Sequence, residues 1–379
     1  SPQTAIIPAI VTSTSVTFFA LRLWNLNRDA DTNERDNPWP ALIIPISAYT
    51  LLLRLLCTIS LELIHEEAYY WNYAQHLDLS YLDHPSMVGW LIWLLTTLLG
   101  QSEFAIRTGA ILCWLITAYY TYKLSHTVCG KQIAHRSLLL VTLLPFYFGA
   151  GLIMTPDAPL IACWAGALYY LYRSLIEEHR SAWLGVGIFI GLGMLSKYSI
   201  ALLGFAAFAY ILFNQPSRKW LLRPEPYLSL ILALLLFTPV LIWNAEHQWV
   251  SFLFQSTRRV TGDFAFDLPD LMGSVFTMLT PVGLLTAIAT VTSQKSFLSE
   301  TGATRIRSNY RFLLTLTLLP LLVFVFLSLF RESKLNWTGP LWLGIVPFMA
   351  LFTLPNFRGS SEKLPAYATG GWPATIIVV

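Results

Sequence analysis

The densest group of potentially reactive side chains lies between residues 62 and 86. This segment holds five carboxylates and three histidines but no lysine or arginine. Glu66 and Glu67 are adjacent, and repulsion between neighbouring carboxylates favours proton uptake by one of them. A positioned carboxylate of this kind can serve as a general base. We therefore expect Glu66 or Glu67 to deprotonate a substrate, and the alternative is a set of solvated acids without a chemical role.

Four aromatic residues follow the two glutamates within six positions, namely Tyr69, Tyr70, Trp71 and Tyr73. Tyrosine and tryptophan are enriched where a membrane meets water, and their flat apolar rings also stack on other rings. We expect Tyr69, Tyr70 and Trp71 to contact a substrate such as a sugar. The alternative is an aromatic belt that only anchors the segment at the membrane surface.

Isolated polar residues interrupt the apolar sequence further along the chain. Asp157 lies between two apolar blocks, where we expect it to contact the substrate and where it can also cap a helix N-terminus. Lys197 divides a long apolar stretch, and a lysine there is costly unless it has an anionic partner. A later loop adds three residues of the types that hold a metal ion or a phosphate, namely His247, Arg258 and Arg259.

The composition indicates which elements position these residues. Of the 379 residues, 55% are hydrophobic and 12% are charged, whereas a soluble domain carries about 25% charged residues. The apolar residues form long uncharged blocks, as membrane helices require. The net charge is only +3 and the basic residues lie in loops, which argues against a nucleic-acid partner. We expect a single all-α membrane domain over residues 1–379.

A membrane span needs roughly 20 apolar residues, and about 11 to 12 blocks approach that length. The last residues, 372–379, look like the start of another span, so we expect the native chain to be longer. The predicted spans lie at about 4–21, 41–61, 108–124, 137–153, 158–173, 183–196, 198–213, 227–244, 271–291, 312–329 and 338–353.

Residues 87–99 form an apolar block that is too short to cross the membrane. A helix of this length reaches about 20 Å, less than the roughly 30 Å of the hydrocarbon core. The block also carries Trp90 and Trp93, which suit the membrane surface. We predict an interfacial or re-entrant helix over 87–99, so that residues 62–107 form one loop on a single side of the membrane.

The distribution of positive charge predicts which side that is. With residues 62–107 outside the cytoplasm, 17 of the 24 lysines and arginines lie in cytoplasmic loops, as the positive-inside rule requires. The loop is then periplasmic. The rule disfavours cations outside the cytoplasm, so each one that remains there needs an explanation. One explanation is an ion pair or another surface contact, and the other is an anionic ligand. These six cations are Arg107, Lys197, Arg258, Arg259, Arg331 and Lys334.

Several short stretches occur together in an order that is typical of one family. They resemble the polytopic GT-C glycosyltransferases that use polyprenyl-phosphate sugars, in particular the bacterial protein O-mannosyltransferase family (glycosyltransferase family 39) and the related lipid A aminoarabinose transferase. The resemblance runs from about residue 41 to 353. The stretches that carry it are Glu66-Glu67-Ala68-Tyr69-Tyr70-Trp71, Tyr81-Leu82-Asp83-His84-Pro85, Thr155-Pro156-Asp157-Ala158-Pro159, Leu195-Ser196-Lys197-Tyr198, Trp243-Asn244-Ala245-Glu246-His247 and Lys334-Leu335-Asn336-Trp337-Thr338-Gly339-Pro340.

The resemblance implies roles for individual residues. Glu66 stands where the family usually has a catalytic aspartate, and this departure leaves open whether Glu66 or Glu67 is the base. Asp83 and His247 match positions of possible ligands to a divalent metal ion, and no nucleotide cofactor is implied. The positions that resemble contacts to the donor phosphate are Lys197, Arg258, Arg259 and His84, although the lipid A enzymes have lysine at the last of these.

The implied activity is transfer of a sugar, with inversion, from a polyprenyl-phosphate donor to a lipid, glycan or protein of the cell envelope. The implied location is the bacterial inner membrane, with the active site facing the periplasm. Two other functions fit the sequence. A transporter or flippase would explain Arg54 and the broken spans at 183–213. A catalytically inactive scaffold would explain the glutamate at position 66 and the absence of a second proline after Pro85.

Overall fold

A computed structural model describes residues 39–260, 266–292 and 303–351. The predicted spans at 4–21 and after 372 lie outside these ranges. Within them the chain is all-α, apart from a single β-bridge between Ser80 and Pro85. The predicted all-α membrane fold is confirmed.

The first half of the described chain supplies most of the helices that surround the predicted site residues. Helix α3 has the bounds that the sequence predicts for the short apolar block, and α2 lies within the predicted loop. The helices of this half are α1 (Trp39–Ser60), α2 (His65–Gln75), α3 (Met87–Leu99), α4 (Glu103–Cys129), α5 (Lys131–Leu143), α6 (Pro145–Ala150) and α7 (Asp157–Leu175).

The second half continues with longer apolar helices and short 3₁₀ turns. The predicted span at 338–353 is instead a 3₁₀ turn followed by one short helix, and both are buried against the core. The α-helices are α8 (Ala182–Met194), α9 (Ala201–Phe213), α10 (Pro224–Glu246), α11 (Val250–Val260), α12 (Leu268–Thr292), α13 (Ala303–Ser328) and α14 (Val346–Leu351). The 3₁₀ turns cover Tyr198–Ile200, Gln215–Leu222 and Gly339–Gly344.

Three described helices are long and apolar enough to cross a membrane: α10, α12 and the Ser308–Ser328 part of α13. The number rises to five if two bent helix pairs each count as one span. The sequence predicts more spans than this, because breaks divide several of the apolar blocks. Helix α7 occupies the centre of the fold, where nearly all of its residues are buried between α4 and α8.

The predicted span at 137–153 is broken where α5 meets α6. Pro145 has no N–H to donate to the carbonyl of Val141, and the indole of Trp114 donates to that carbonyl instead, at 3.5 Å. The neighbouring carbonyl of Thr142 accepts from Arg54 at 3.3 Å. Arg54 therefore has a structural partner at a helix break, which removes the main reason to regard it as part of a transport pathway.

Candidate active site

A cavity of about 500 Å³ lies where the loop after α2, the start of α7 and the loop after α13 meet. It brings together six of the residues predicted for the site: Glu66, Tyr70, Asp83, His84, Asp157 and Lys197. These residues come from parts of the chain up to 131 positions apart, since Glu66 and Lys197 delimit the set. The common side that the charge distribution predicts is thus matched by a common cavity.

Helix α2 places its two glutamates in different environments. Successive residues on a helix point in directions about 100° apart, so Glu66 and Glu67 cannot face the same space. Glu66 is exposed and lines the cavity. Glu67 is fully buried and is not among the cavity-lining residues. The geometry therefore favours Glu66 as the residue that meets a substrate.

Glu67 forms a buried ion pair with Arg107 of α4. The closest approach is 2.6 Å, and the two side chains are 0% and 3% exposed. The carboxylate also accepts the backbone N–H groups of Ile64 at 3.2 Å and Met154 at 3.1 Å. All of these bonds hold the start of α2 against α4 and the segment before α7. Glu67 is therefore a structural residue in this fold, and the alternative that it acts as the base loses its support.

Arg107 is the first of the six cations predicted to be periplasmic for which the structure gives a reason. Its guanidinium also donates to the carbonyls of Leu61 at 2.6 Å and Glu62 at 2.8 Å. These carbonyls lie between α1 and α2, where helix ends leave backbone acceptors without partners. Arg107 thus serves a buried contact and does not bind an anionic ligand.

Asp83 lines the cavity and is held there from two directions. The hydroxyl of Tyr73 donates to its carboxylate, and the amide of Gln255 donates to its backbone carbonyl at 2.6 Å. The ring of Tyr73 is stacked on that of Tyr81, with centroids 3.7 Å apart. Asp83 is therefore a positioned carboxylate, and Tyr73 is the side chain that orients it.

We expect the substitution Tyr73→Phe to reduce kcat/KM about 10-fold, because the carboxylate of Asp83 loses the donor that orients it. The loss in stability should be only about 1–2 kcal/mol, since the hydroxyl loses its hydrogen bonds to Asp83 and Tyr69 while the ring remains. Steady-state kinetics and thermal unfolding measure the two effects. Tyr119→Phe on the exposed face of α4 is the matched control. Unchanged kinetics in Tyr73→Phe would contradict the positioning role.

Asp157 is the anchor of a second polar group in the cavity. One of its carboxylate oxygens lies 2.9 Å from the ammonium of Lys197, and the other accepts from the amide of Asn336 at 2.5 Å. The Asp157 and Lys197 side chains are 8% and 16% exposed. Asp157 is also the first residue of α7, where a negative charge is favourable. Lys197 thus has its anionic partner within the protein.

His84 lies in the same cavity but does not carry a positive charge at neutral pH. The pKa of His84 is lowered to about 4, chiefly by burial and also by the positive charges of Lys197 and Lys334, against the opposing effect of Asp83 and Asp157. A neutral imidazole can still donate one hydrogen bond. It cannot replace the lysine that the lipid A enzymes have at this position.

His247 and Asp83, the two residues that resemble metal ligands, are not brought together. The ring of His247 is stacked on Trp243, with centroids 4.1 Å apart, and its Nδ1 lies 2.7 Å from the carbonyl of that residue. His247 does not line the cavity. In the part of the chain that the structure describes, no three His, Cys, Asp or Glu residues are grouped to hold a metal ion. These residues do not fit a divalent metal, so no chemical step is assigned to one.

The remaining predicted residues have different outcomes. Tyr69 and Trp71 are 47% and 37% exposed and do not line the cavity, whereas Tyr70 does. Trp71 donates to Gln101 at 3.2 Å. The backbone of Arg258 and Arg259 belongs to α11, but their side chains lie outside the described part of the structure.

One wall of the cavity was assigned no role from the sequence. It is formed by the segment after α13, which reads Arg331-Glu332-Ser333-Lys334 and continues to Asn336 and Trp337. Two signals in the sequence pointed to this segment: its two cations on the side predicted to be periplasmic, and the family-like stretch at 334–340. Neither signal shows by itself that the segment reaches the start of α7.

Comparisons with known proteins agree with this architecture. Residues 83–243 match the model of the dolichyl-phosphate-mannose-protein mannosyltransferase family. The computed structure is similar to ArnT from Cupriavidus metallidurans bound to undecaprenyl phosphate, with a TM-score of 0.65, 14% sequence identity and coverage of 83% of this chain and 60% of that one. The chain has the GT-C fold. This fold also extends to the archaeal oligosaccharyltransferase AglB from Archaeoglobus fulgidus, with a TM-score of 0.53, 13% identity and coverage of 88% and 55%.

Curated relatives of this GT-C protein are similar over part of their length. The lipid A galacturonosyltransferase RgtD of Rhizobium johnstonii is 27% identical over 203 residues, which are 53% of this chain and 41% of the relative. An undecaprenyl phosphate-alpha-4-amino-4-deoxy-L-arabinose arabinosyl transferase of Proteus mirabilis is 27% identical over 138 residues, 35% of this chain and 25% of the relative. The chain thus spans about two fifths or less of the length of these relatives. The resemblance seen in the motifs is confirmed at the level of the fold and of these similarities.

Proposed function

We propose that this protein transfers a sugar from a polyprenyl-phosphate donor to an acceptor of the bacterial cell envelope. The observation that carries the proposal is the single cavity in which an exposed carboxylate, a positioned carboxylate and cations meet. The fold adds support, since a solved structure with the same architecture is bound to undecaprenyl phosphate. The names of the relatives point to lipid A and lipopolysaccharide as acceptors.

In the proposed reaction Glu66 acts as the general base. Its carboxylate takes the proton of the acceptor hydroxyl, and the acceptor oxygen forms a bond to the anomeric carbon of the sugar. The bond from that carbon to the phosphate oxygen breaks, and the bonding electrons leave with the polyprenyl phosphate. A single displacement of this kind inverts the anomeric centre. General-base assistance is worth about 10² to 10⁴ in rate.

The leaving phosphate gains negative charge, so the site must supply positive charge or hydrogen-bond donors where that charge develops. Lys197 lies in the cavity and contributes to the positive potential, although Asp157 neutralises part of it. The neutral His84 can offer a hydrogen bond. Tyr70, the aromatic residue of α2 that reaches the cavity, is suited to pack against the sugar.

The periplasmic location of the site is part of the proposal. It is supported by the 17 basic residues that the predicted topology keeps in the cytoplasm. The short α3 also supports it, because its 13 residues reach only about 20 Å. Both ends of α3 can then lie on the same side as Glu66 and Asp157.

The direct test is sugar transfer by the purified protein in liposomes, with a panel of polyprenyl-phosphate sugars as donors and lipid A or core lipopolysaccharide as acceptors. We expect one donor to give a glycosylated acceptor that mass spectrometry detects, with release of polyprenyl phosphate. Mass spectrometry of envelope glycolipids from cells with and without the gene is the matching measurement in vivo. No product in either experiment, from a protein that remains folded, would refute the proposal.

A further inference from the structure

The loop that follows α13 carries a lysine side chain that has no partner among the residues that the structure describes. We propose that Lys334 is the residue that binds the phosphate group of the lipid-linked donor. This inference rests on the proposed function for the identity of the ligand. It assigns a role to a residue of the family-like stretch 334–340 that the sequence alone left without one.

The other cavity-lining residues that could bind a phosphate are either paired within the protein or uncharged. Lys197 is committed to Asp157, with 2.9 Å between ammonium and carboxylate. His84 is neutral near pH 7, because burial and two neighbouring positive charges oppose its protonation. Arg331 lines the cavity but already has an interaction within the protein. Among the cavity-lining cations that the structure describes, Lys334 is therefore the one whose charge is left available to a phosphate.

Lys334 is exposed and lines the cavity, and its side-chain ammonium forms no hydrogen bond or ion pair with another residue of the described ranges. It is also close enough to His84 for its charge to act on that imidazole. Lys334 thus brings a positive charge to the part of the cavity that the neutral His84 lines.

The backbone around Lys334 is held at two points, one on each side. On one side, Ser333 donates both its N–H and its hydroxyl to a single carboxylate oxygen of Asp267, each at 2.5 Å. On the other side, the amide of Asn336 donates to Asp157 at 2.5 Å. The ring of Trp337 packs near Phe324, with centroids 5.5 Å apart. A short loop fixed in this way presents the lysine to the cavity at little entropic cost when a ligand binds.

The test compares the binding of two lipids that differ only in the charged group: a polyprenyl phosphate and the corresponding polyprenol. We expect Lys334→Ala to weaken binding of the polyprenyl phosphate about 10- to 100-fold, the effect of losing one charge-assisted hydrogen bond. Binding of the polyprenol should not change. Lys334→Arg should retain most of the affinity. Lys131→Ala, an exposed lysine at the start of α5, is the matched control.

A second variant separates a phosphate contact from a structural effect. Adding His84→Lys to Lys334→Ala returns a cation to the same region of the cavity, so we expect it to restore part of the affinity for the polyprenyl phosphate. The inference is overturned if Lys334→Ala weakens both lipids equally or neither of them. It is also overturned if the double variant binds no better than Lys334→Ala.

The same experiments distinguish failure of this inference from failure of the proposed function. A wild-type protein that binds polyprenyl phosphate through Lys334 but transfers no sugar would refute the transferase activity and leave the phosphate site standing. A wild-type protein that transfers sugar, with an unchanged KM for the donor in Lys334→Ala, would refute the inference and leave the activity standing.

Discussion

Replacing Glu66 by glutamine should lower kcat about 10²- to 10⁴-fold, the usual contribution of a general base. Glutamine preserves the size of the side chain but cannot accept the proton of the acceptor. Glu66 is exposed and belongs to the cavity wall, so the substitution removes no packing. Sugar transfer by the purified variant, measured beside its thermal unfolding temperature, would show a loss of activity without a loss of stability.

Glu66→Asp is the informative companion of this substitution. It keeps the carboxylate and restores the residue that the family usually has, with a reach shorter by one methylene. We expect it to retain a substantial part of the activity, whereas Glu66→Gln should not. If Glu66→Gln turned over at the wild-type rate, the base would have to be another carboxylate of the cavity, and Asp83 would be the next to test.

The second large effect is expected at Glu67, and it concerns the stability of the protein instead of its activity. Glu67→Ala should lower the free energy of unfolding by about 3–5 kcal/mol, because it leaves the buried guanidinium of Arg107 without its partner. It also removes the acceptor of the N–H groups of Ile64 and Met154. Thermal or denaturant unfolding in detergent micelles measures the loss.

Two variants control for this second prediction. Glu62→Ala removes an exposed carboxylate of the same segment but keeps the backbone carbonyl that Arg107 binds, so its stability should stay near that of the wild type. Replacing both Glu67 and Arg107 by leucine removes both charges and should recover part of the loss. A Glu67→Ala protein as stable as the wild type and inactive would reverse the roles that we give the two glutamates.

These predictions give two neighbouring carboxylates different roles: Glu66 in proton transfer and Glu67 in stability. Burial and pairing with Arg107 fix the start of α2 through Glu67. The same helix turn then directs Glu66 into the cavity. A base on a rigid element is held within the narrow geometry that proton transfer needs. If Glu66 is the base that we propose, we expect the ion pair to contribute to catalysis by orienting it.

Much of the architecture could be predicted from the sequence, because it depends on local chemistry. Helix α3 has the predicted bounds, since Pro85 and Ser86 precede it and Gly100, with a φ of 87°, ends it. The apolar composition predicts the membrane fold, and the charge distribution predicts that Glu66, Asp83, Asp157 and Lys197, with His247 and Arg258, lie on one side of the membrane. The first four of these line one cavity.

The breaks in the predicted spans were harder to predict from the sequence, because they depend on contacts between distant segments. Pro145 can end a helix within a bilayer because Trp114 and Arg54 satisfy the carbonyls that it leaves. The sequence shows the proline and the arginine but not that they meet. The stretch at 338–353 is apolar enough for a span, yet it folds into short helical turns that the core buries.

The amino-acid sequence by itself determined the membrane class, the acidic segment and the set of candidate residues, since residue type, spacing and charge balance are properties of the chain. Only the tertiary structure decided what each candidate faces. It separated Glu66 from Glu67, gave Lys197 and Arg107 their partners, and kept His247 out of the cavity. The physical reason is that burial and pairing depend on residues far apart in sequence. Asn336 and Asp157, for example, lie 179 positions apart and form one hydrogen bond.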